Sequence, residues 1–423
     1  MMQEHRTGSS RLTVLHLVQP VDGGVARVVV DLVRSQVQKG VRALVACPPD
    51  GPLPGQAADA GADVLRWPAG RAPGPGLASE VLTAAGLIRR SAPDVLHAHS
   101  AKAGLAGRLA VRGRVPTVFQ PHAWSFDAVD GRPAELVRRW ERYGARWSTR
   151  TLCVSEAERR AGEAAGISSR WAVIRNGIDL DRFGAGEADG DGDGHGDGDG
   201  DGHGGGESVG ARTRAEARSE EPLLAALPPA TPLVVCVGRL CRQKGQDVLL
   251  RAWPEISRRV PGARLVLVGD GPDAERLRGS APPGVLFAGA VADTRPWLRA
   301  ADVAVLPSRW EGMALAPLEA MACGTPVVVS DVSGARESLP PGQRSHCLVP
   351  PREPAALTDA LVALLSDRAL REELGARART HARTAHDVRA TAAAVLDLYR
   401  DVLGPPRPST SPPRPSTREY IQP

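Results

Sequence analysis

Short apolar runs alternate with amphipathic stretches along the chain, and this alternation occurs twice. In the first half, runs such as Leu12–Val18, Val41–Ala46 and Val95–Ala98 are separated by stretches with helical periodicity such as Ala26–Gln38. The alternation resumes in the second half from Leu233–Val237 onward. Strand–helix–strand repetition at this spacing is typical of a parallel sheet covered by helices on both faces. The pattern predicts two Rossmann-like, doubly wound α/β domains that face each other across a cleft.

Two segments break the pattern. Residues 184–210 are rich in Asp and Gly and carry eight acidic and no basic residues. Such a composition cannot bury apolar surface, so 184–221 is predicted to be a disordered acidic linker rather than a calcium site. The last segment, 404–423, contains the near-repeat PPRPST and is predicted to be a disordered Pro-rich tail. The predicted domains therefore cover 1–183 and 222–385, followed by a helical segment over 386–403.

Composition narrows the class of protein. The 423 residues are 42% hydrophobic and 24% charged, which suffices for two cores and excludes disorder of the whole chain. No apolar run approaches the roughly 20 residues of a membrane-spanning helix, and the polar start at Met1–Arg11 is unlike a secretory signal. The six cysteines form no C-x-x-C pair, so neither a zinc site nor a redox motif is predicted. We expect a cytoplasmic protein.

The charge is uneven. Residues 1–183 carry 25 basic and 17 acidic residues, whereas the whole chain has a net charge of +5. Within this part, Arg132–Arg150 combines aromatic residues at helical spacing with arginines. A basic aromatic helix can lie on anionic lipid, but its apolar stripe fits core packing equally well. A peripheral contact with the inner membrane surface is left open, and no nucleic-acid partner is expected.

Candidate chemistry lies in the loops that follow predicted strands, where open α/β sheets bind ligands. One strand ends at Gly238, and Arg239 and Lys244 follow it. Two cations at this edge suit a diphosphate without a metal ion. Taken alone, the pair could equally be ordinary surface cations.

A second loop follows the strand that ends at Pro307. A helix beginning near Ala314 would offer free N–H groups to a phosphate, with Glu319 inside the helix and Glu311 on the loop before it. Glu319 could then accept hydrogen bonds from ribose hydroxyls, and Glu311 could accept them from a sugar. Two glutamates at this spacing also occur on solvated helix faces.

The first domain offers a glycine turn and a histidine. Gly23 and Gly24 permit close approach to a ligand, but no G-x-G-x-x-G motif supports a dinucleotide cofactor. His122 follows the fifth predicted strand and would face the cleft, although a lone histidine is often merely structural. His97 and His99 lie near the previous strand end without the carboxylate or cysteine spacing of a metal site. We predict no metal.

Together these segments resemble the retaining GT-B glycosyltransferases, also called glycosyl transferases group 1 or glycosyltransferase family 4. The resemblance extends from the Gly23–Gly24 loop to the helices near Val402. Its motifs, in chain order, are GGV, PHAWSF, NGID, GRLCRQKG, GDGP and EGMALAPLEAMACGTPVV. Relatives commonly have phenylalanine and glycine where this chain has Met313 and Ala314, which could change the sugar that fits.

The resemblance implies an acceptor-binding domain over 1–183, a nucleotide-sugar donor domain over 222–385 and a last helix over 386–403 that crosses back to the first domain. The implied catalytic residues are His122, Glu311, Arg239 and Lys244. The implied donor-binding residues are Gly23, Gly24, Arg239, Lys244, Gly312, Met313, Ala314, Leu315 and Glu319. No metal or other cofactor is implied.

The implied activity is transfer of a hexosyl unit, with retention, from a UDP- or GDP-sugar. The expected acceptor is a lipid-linked or glycan molecule in cell-envelope or exopolysaccharide synthesis. Two alternatives remain: a nucleotide-sugar epimerase on the same fold, and a non-catalytic nucleotide-sugar-binding partner protein.

Overall fold

The computed structural model describes residues 11–71, 74–184 and 209–404. The first domain is built on a seven-stranded parallel sheet of order β3-β2-β1-β4-β5-β6-β7. Its strands are β1 (Thr13–Val18), β2 (Arg42–Cys47), β3 (Asp63–Arg66), β4 (Val95–His99), β5 (Thr117–Gln120), β6 (Arg150–Cys153) and β7 (Trp171–Val173).

The second domain is built on a six-stranded parallel sheet of order β10-β9-β8-β11-β12-β13. Its strands are β8 (Leu233–Val237), β9 (Arg264–Val268), β10 (Val285–Gly289), β11 (Val303–Leu306), β12 (Val327–Ser330) and β13 (Leu348–Val349). Central strands such as β8 and β11 are almost wholly buried, because helices cover both faces of the sheet. The two predicted doubly wound domains are confirmed.

Helices connect the strands. In the first domain they are α1 (Gly23–Gln38), α2 (Leu53–Asp59), α3 (Leu77–Ser91), α4 (Ser100–Val111), α5 (Gly131–Gly144), α6 (Glu156–Ala164) and α7 (Leu180–Gly184). After residue 208 they are α8 (Val209–Glu220), α9 (Pro222–Ala225), α10 (Gln246–Arg259), α11 (Ala274–Gly279), α12 (Arg295–Ala300), α13 (Leu315–Ala322), α14 (Ala335–Ser338), α15 (Arg344–Cys347), α16 (Pro354–Ser366), α17 (Arg368–Ala385) and α18 (Val388–Leu403). Within the described ranges, no helix is both long enough and apolar enough to span a membrane.

In each sheet the chain starts at a central strand, builds one side and then returns to build the other. The reversal falls between β1 and β4 in the first sheet and between β8 and β11 in the second. Loops that follow neighbouring strands diverge at such a point and leave a crevice at the carboxyl edge. These are the loops in which the sequence analysis placed the candidate chemistry.

The last helix, α18, contacts the first domain. The hydroxyl of Tyr399 lies 2.6 Å from Nδ1 of His97 on β4, and Asp401 forms an ion pair of 2.6 Å with Arg150 on β6. Tyr399 is completely buried there. Helix α18 therefore forms part of the core beneath the first sheet.

Helix α8 corrects the predicted linker, because residues 209–220 are helical where disordered chain was expected. The segment is rich in Ala, Arg and Glu, which favour helices. It is anchored where Ala217 is buried and Arg218 forms an ion pair of 3.0 Å with Asp302. The remainder of the predicted linker, 185–208, and the predicted tail from 405 to 423 lie outside the described residues.

Candidate active site

The loops after β8 and β11 pack against each other at the edge of the second sheet. Gly245 has a φ of +70°, and a Cβ at that position would lie 2.0 Å from the carbonyl oxygen of Pro307. Only glycine fits such a contact. The backbone N–H of Arg309 also donates to the carbonyl of Gln243 at 2.7 Å. The sequence thus brings the predicted phosphate-binding and sugar-binding loops into direct contact.

Lys244 and Glu311 meet where these loops touch. Nζ of Lys244 lies 2.6 Å from Oε1 of Glu311, and the hydroxyl of Ser308 donates to the same oxygen at 2.8 Å. Glu311 is 7% exposed, so its carboxylate depends on these partners for compensation. The two residues are predicted from the sequence to have separate roles, and the ion pair between them is a feature that only the structure shows.

Arg239 faces the first domain across the cleft. Its Nη1 lies 3.8 Å from Oδ1 of Asp22, the residue immediately before helix α1. Gly23 and Gly24 form the first turn of that helix, and a Cβ at Gly24 would lie 3.9 Å from the side chain of Leu315. The glycine turn of the first domain therefore lies beside the predicted phosphate-binding and sugar-binding loops of the second.

Glu319 lies on α13 and is 7% exposed. Burial raises its pKa, while the guanidinium of Arg27 on α1, 4.0 Å away, acts in the opposite direction. The carboxylate is therefore at the boundary between the domains, close to the glycine turn. Its position is compatible with accepting hydrogen bonds from a ligand in the cleft.

The backbone from Gly312 to Leu315 is held by the first domain. The hydroxyl of Ser155 donates to the carbonyl of Gly312 at 3.1 Å, and Nδ2 of Asn176 donates to that of Met313 at 2.7 Å. A Cβ at Gly312 would lie 2.8 Å from Val154, the residue that follows β6, so the loop comes too close to the first domain for a side chain. Met313 is buried, and Ala314 is the last residue before α13.

His122 has an unusual backbone and a buried partner. Its φ is +58°, a left-handed conformation that non-glycine residues rarely adopt, and the φ of the next residue, Ala123, is +141°. Nε2 of His122 lies 3.0 Å from Nδ1 of His99. Enclosure by the protein lowers the pKa of His122 to about 3, so its imidazole is neutral at pH 7.

Glu158 on α6 is a site residue that the sequence analysis missed. It is buried, its Oε2 accepts the backbone N–H of Val154 at 2.7 Å, and a Cβ at Gly312 would lie 3.0 Å from its Oε1. Burial raises its pKa to about 8, although backbone hydrogen bonds from Val154 and Ala123 act against this rise. The surrounding sequence, EAERR, is typical of an exposed helix and gives no signal of this role.

Metal-ligating side chains converge away from these loops. Across the described ranges, His16, His97 and His99 form the one group of three or more His, Cys, Asp or Glu residues in which one potential ligand atom from each lies within 4.8 Å of the others. All three rings are completely buried, and Nδ1 of His16 is 3.0 Å from Nε2 of His99. The absence of a metal requirement remains a prediction.

Two family models match the chain, one in each domain. The family model described as Glycosyltransferase Family 4 matches residues 22–182, and the model described as Glycosyl transferases group 1 matches residues 231–367.

Named relatives are similar over most or part of the chain. The D-inositol 3-phosphate glycosyltransferase of Acidothermus cellulolyticus is 32% identical over 73% of this chain and 67% of its own length. The UDP-Gal:alpha-D-GlcNAc-diphosphoundecaprenol alpha-1,3-galactosyltransferase of Escherichia coli is 27% identical over 67% of this chain and 69% of its own length. A GDP-mannose-dependent alpha-(1-6)-phosphatidylinositol monomannoside mannosyltransferase of Mycolicibacterium smegmatis is 40% identical, but over 32% of this chain and 39% of its own length.

Among solved structures, Anabaena Alr3699/HepE in complex with UDP and glucose has a TM-score of 0.73 and 21% identity. The similarity covers 92% of this chain and 99% of that one. At this identity the match shows that the two chains share a fold.

Proposed function

The chain belongs to the glycosyl transferases group 1 family, also called glycosyltransferase family 4, and is a glycosyltransferase; from this premise we propose its donor, acceptor and mechanism. The proposed reaction is transfer of a hexosyl unit, with retention and without a metal ion, from a UDP- or GDP-sugar. The proposed acceptor is a lipid-linked or glycan molecule in cell-envelope or exopolysaccharide synthesis.

The observation that carries this proposal is the contact between Lys244 and Glu311 beside Arg239. Breaking a sugar–phosphate bond builds negative charge on the departing nucleotide diphosphate. Lys244 and Arg239 on one loop supply two cations for that charge, and removing one such group typically costs about 100–1,000-fold in rate. When a diphosphate takes the ammonium of Lys244, the carboxylate of Glu311 becomes available to the hydroxyls of the attached sugar.

The remaining donor contacts follow from the same arrangement. The N–H groups at the start of α13 and the glycine turn at Gly23–Gly24 lie on two sides of the cleft and can approach phosphate oxygens. Glu319 is the proposed partner of the ribose hydroxyls, and the backbone of Gly312 to Leu315 is the proposed lining of the sugar pocket. His122 is the proposed contact near the reacting carbon. Retention is proposed to follow from front-face attack, with the leaving phosphate accepting the proton of the acceptor.

Helix α5 supports an acceptor at a membrane surface. Leu136 is 71% exposed and Tyr143 is 46% exposed, and the same helix carries the exposed arginines Arg139 and Arg142. Trp140 and Trp147 of the same helical stripe are partly buried, so the stripe contributes to packing in part, and we propose that its exposed residues contact anionic lipid. The names of the E. coli and mycobacterial relatives also include lipid acceptors.

The test begins with binding of UDP, GDP and ADP, measured as thermal stabilisation with and without EDTA. A ligand at 100 times its dissociation constant adds about 2.7 kcal/mol to the free energy of unfolding. We expect one nucleotide to stabilise the chain equally in EDTA, and its hexose conjugates are then assayed for transfer to lipid-linked sugars. Stabilisation that disappears in EDTA would contradict the metal-free site, and no stabilisation by any nucleotide would contradict the donor site itself.

Two variants assign the roles. Lys244→Met should weaken binding of the nucleotide diphosphate by about 10–100-fold, because a charge-assisted hydrogen bond is lost. The matched control is Lys39→Met, since Lys39 is exposed at the far end of α1. Glu311→Gln should bind the nucleotide but lose transfer. Unchanged affinity in the first variant, or wild-type transfer in the second, would remove that residue from the site. An epimerised nucleotide sugar formed without acceptor would favour the epimerase alternative.

A further inference from the structure

A chain of hydrogen bonds leads from His122 into the core of the first domain. Nε2 of His122 lies 3.0 Å from Nδ1 of His99, and Nε2 of His99 lies 3.0 Å from Nδ1 of His16. Nε2 of His16 then lies 2.9 Å from Oε1 of Gln36 on α1. His99, His16 and Gln36 are at most 2% exposed, whereas His122 is partly exposed. The chain therefore connects the cleft to a buried amide.

The three imidazoles in this chain of hydrogen bonds are neutral at pH 7. Burial lowers the pKa of His16 to about 4 and holds the pKa of His99 well below its ordinary value. The pKa of His122 is lowered to about 3 for the same reason. A neutral imidazole has one N–H donor and one lone-pair acceptor. Each ring can therefore join the chain in one of only two directions, and all rings must share the same direction.

The amide at the buried end sets that direction. Oε1 of Gln36 can only accept, so Nε2 of His16 must carry the proton and its Nδ1 must accept from Nε2–H of His99. By the same rule, Nδ1 of His99 accepts from Nε2–H of His122. Gln36 also acts on the buried phenol of Tyr399, whose pKa it lowers against the rise caused by burial. In the structure Oε1, and not the N–H₂ group, is the amide atom that lies 2.9 Å from Nε2 of His16.

We propose that Gln36, acting through His16 and His99, is a positioning residue that holds His122 in its Nε2–H form. In this form Nδ1 is an acceptor, and it is the ring nitrogen that the buried chain leaves available. The ligand group recognised is then a hydroxyl that donates to Nδ1, on the transferred sugar or on the incoming acceptor. This role deepens the proposed function and rests on it. The tautomer itself follows from the hydrogen bonds and can be tested separately.

The surroundings hold the rings in place. The ring centroids of His97 and His99 are 3.9 Å apart. Nδ1 of His97 is also hydrogen-bonded to the hydroxyl of Tyr399 on α18, at 2.6 Å. Helix α18 thus fixes the position of His97, which packs against His99 of the hydrogen-bonded chain. A metal ion held by His16, His97 and His99 would need the imidazole lone pairs that accept these hydrogen bonds. Metal binding and the chain of hydrogen bonds therefore exclude each other.

The first experiment determines the tautomer by long-range ¹H–¹⁵N correlation in protein labelled at histidine. A His122→Phe spectrum assigns the signals of His122. We expect an unprotonated Nδ1 and a protonated Nε2 in the wild type. In Gln36→Leu, which has a similar volume but no acceptor, we expect this signature to be lost or mixed. Gln36→Glu retains an acceptor oxygen and should restore it. A protonated Nδ1 in the wild type, or an unchanged signature in Gln36→Leu, would overturn the proposal.

A control separates positioning from stability. Leu32 lies one turn before Gln36 on α1 and is 2% exposed. Leu32→Ala should lower the melting temperature and leave the signature of His122 intact. If Leu32→Ala changes the signature as much as Gln36→Leu does, the effect is structural and the proposal fails. Stoichiometric metal in the purified protein, measured by plasma mass spectrometry, would also overturn it.

The kinetic experiment uses the donor and acceptor identified for the wild type. In Gln36→Leu, kcat should fall roughly tenfold, as for loss of one hydrogen bond, while KM for the donor and affinity for the nucleotide diphosphate stay within about twofold. Gln36→Glu should recover most of kcat. An unchanged kcat in Gln36→Leu would overturn the functional role of the chain of hydrogen bonds from Gln36 to His122. If the wild type transfers no sugar, the proposed function fails, whereas the tautomer result still stands or falls by its own spectrum.

Discussion

Replacing Glu158 by glutamine tests the buried contact between the two domains. The carboxyl is 1% exposed, and only one of its oxygens forms a hydrogen bond of ordinary length within the described part of the chain. Burial outweighs the backbone N–H groups of Val154 and Ala123 and raises the pKa of Glu158 from 4.5 to about 8. Glutamine keeps the shape of the side chain and cannot ionise.

The direction in which Glu158 changes the free energy of unfolding with pH follows from proton binding. Between pH 4.5 and 8 the folded state keeps a proton on Glu158 that the unfolded state has lost. The stabilisation is therefore complete below pH 4.5 and is lost at about 1.4 kcal/mol per pH unit as the pH rises toward 8. Between pH 6.5 and 8 the wild type should lose roughly 1.5 kcal/mol from this group, and Glu158→Gln should not.

The assay is urea unfolding of both proteins at several values between pH 6.5 and 8. Because other groups titrate equally in both, the difference in the free energy of unfolding isolates Glu158. The control is Glu163→Gln, since Glu163 is exposed on the same helix and should show a constant difference from the wild type. Parallel curves for Glu158→Gln and the wild type would refute the raised pKa.

Three further predictions concern the core and the cleft. Burial lowers the pKa of His16 to about 4, so the stability that the neutral imidazole contributes is lost progressively as the pH falls below 6.5. In the Glu158→Gln background, the free energy of urea unfolding should therefore fall by at least about 1.5 kcal/mol between pH 6.5 and 5. Equal stabilities at the two pH values would contradict this prediction. Gly245→Ala places a Cβ 2.0 Å from the carbonyl of Pro307, so calorimetry should show a lower melting temperature and weaker binding of the nucleotide diphosphate; wild-type values would contradict the loop contact. Asn176→Ala leaves the carbonyl of Met313 without its donor, at an expected cost of about 1–3 kcal/mol in urea unfolding, and an unchanged midpoint would contradict the contact.

The sheets could be predicted because their signal is local. Each central strand is a short apolar run, and the amphipathic helices between runs repeat at the spacing of doubly wound folds. Helix α8 was missed because the Asp-Gly composition of 184–210 dominates its neighbourhood. Its anchor is Asp302, which lies more than 80 residues away along the chain and cannot be found from local composition.

Contacts between residues that are far apart in the sequence also limited what could be predicted of the candidate site. The positions of Arg239, Lys244 and Glu311 at the carboxyl edge of the second sheet could be predicted because these residues follow apolar strands, while their roles in binding and catalysis stay predictions. The first-domain residues beside these loops could not, since Asp22, which pairs with Arg239, and Glu158, which lies beside Gly312, approach them only through the tertiary fold.

Contacts across the domain boundary hold the backbone from Gly312 to Leu315 in place. Ser155 and Asn176 of the first domain hold the carbonyl groups of Gly312 and Met313. In the opposite direction, Glu337 of the second domain accepts the first N–H groups of α6 at 2.9 and 3.0 Å, where a carboxylate is favoured by the free donors and the helix dipole. The backbone proposed to line the sugar pocket is therefore held by the first domain as well as by its own. Its geometry depends on these contacts between the domains, so a substitution at the boundary should alter transfer without touching the donor.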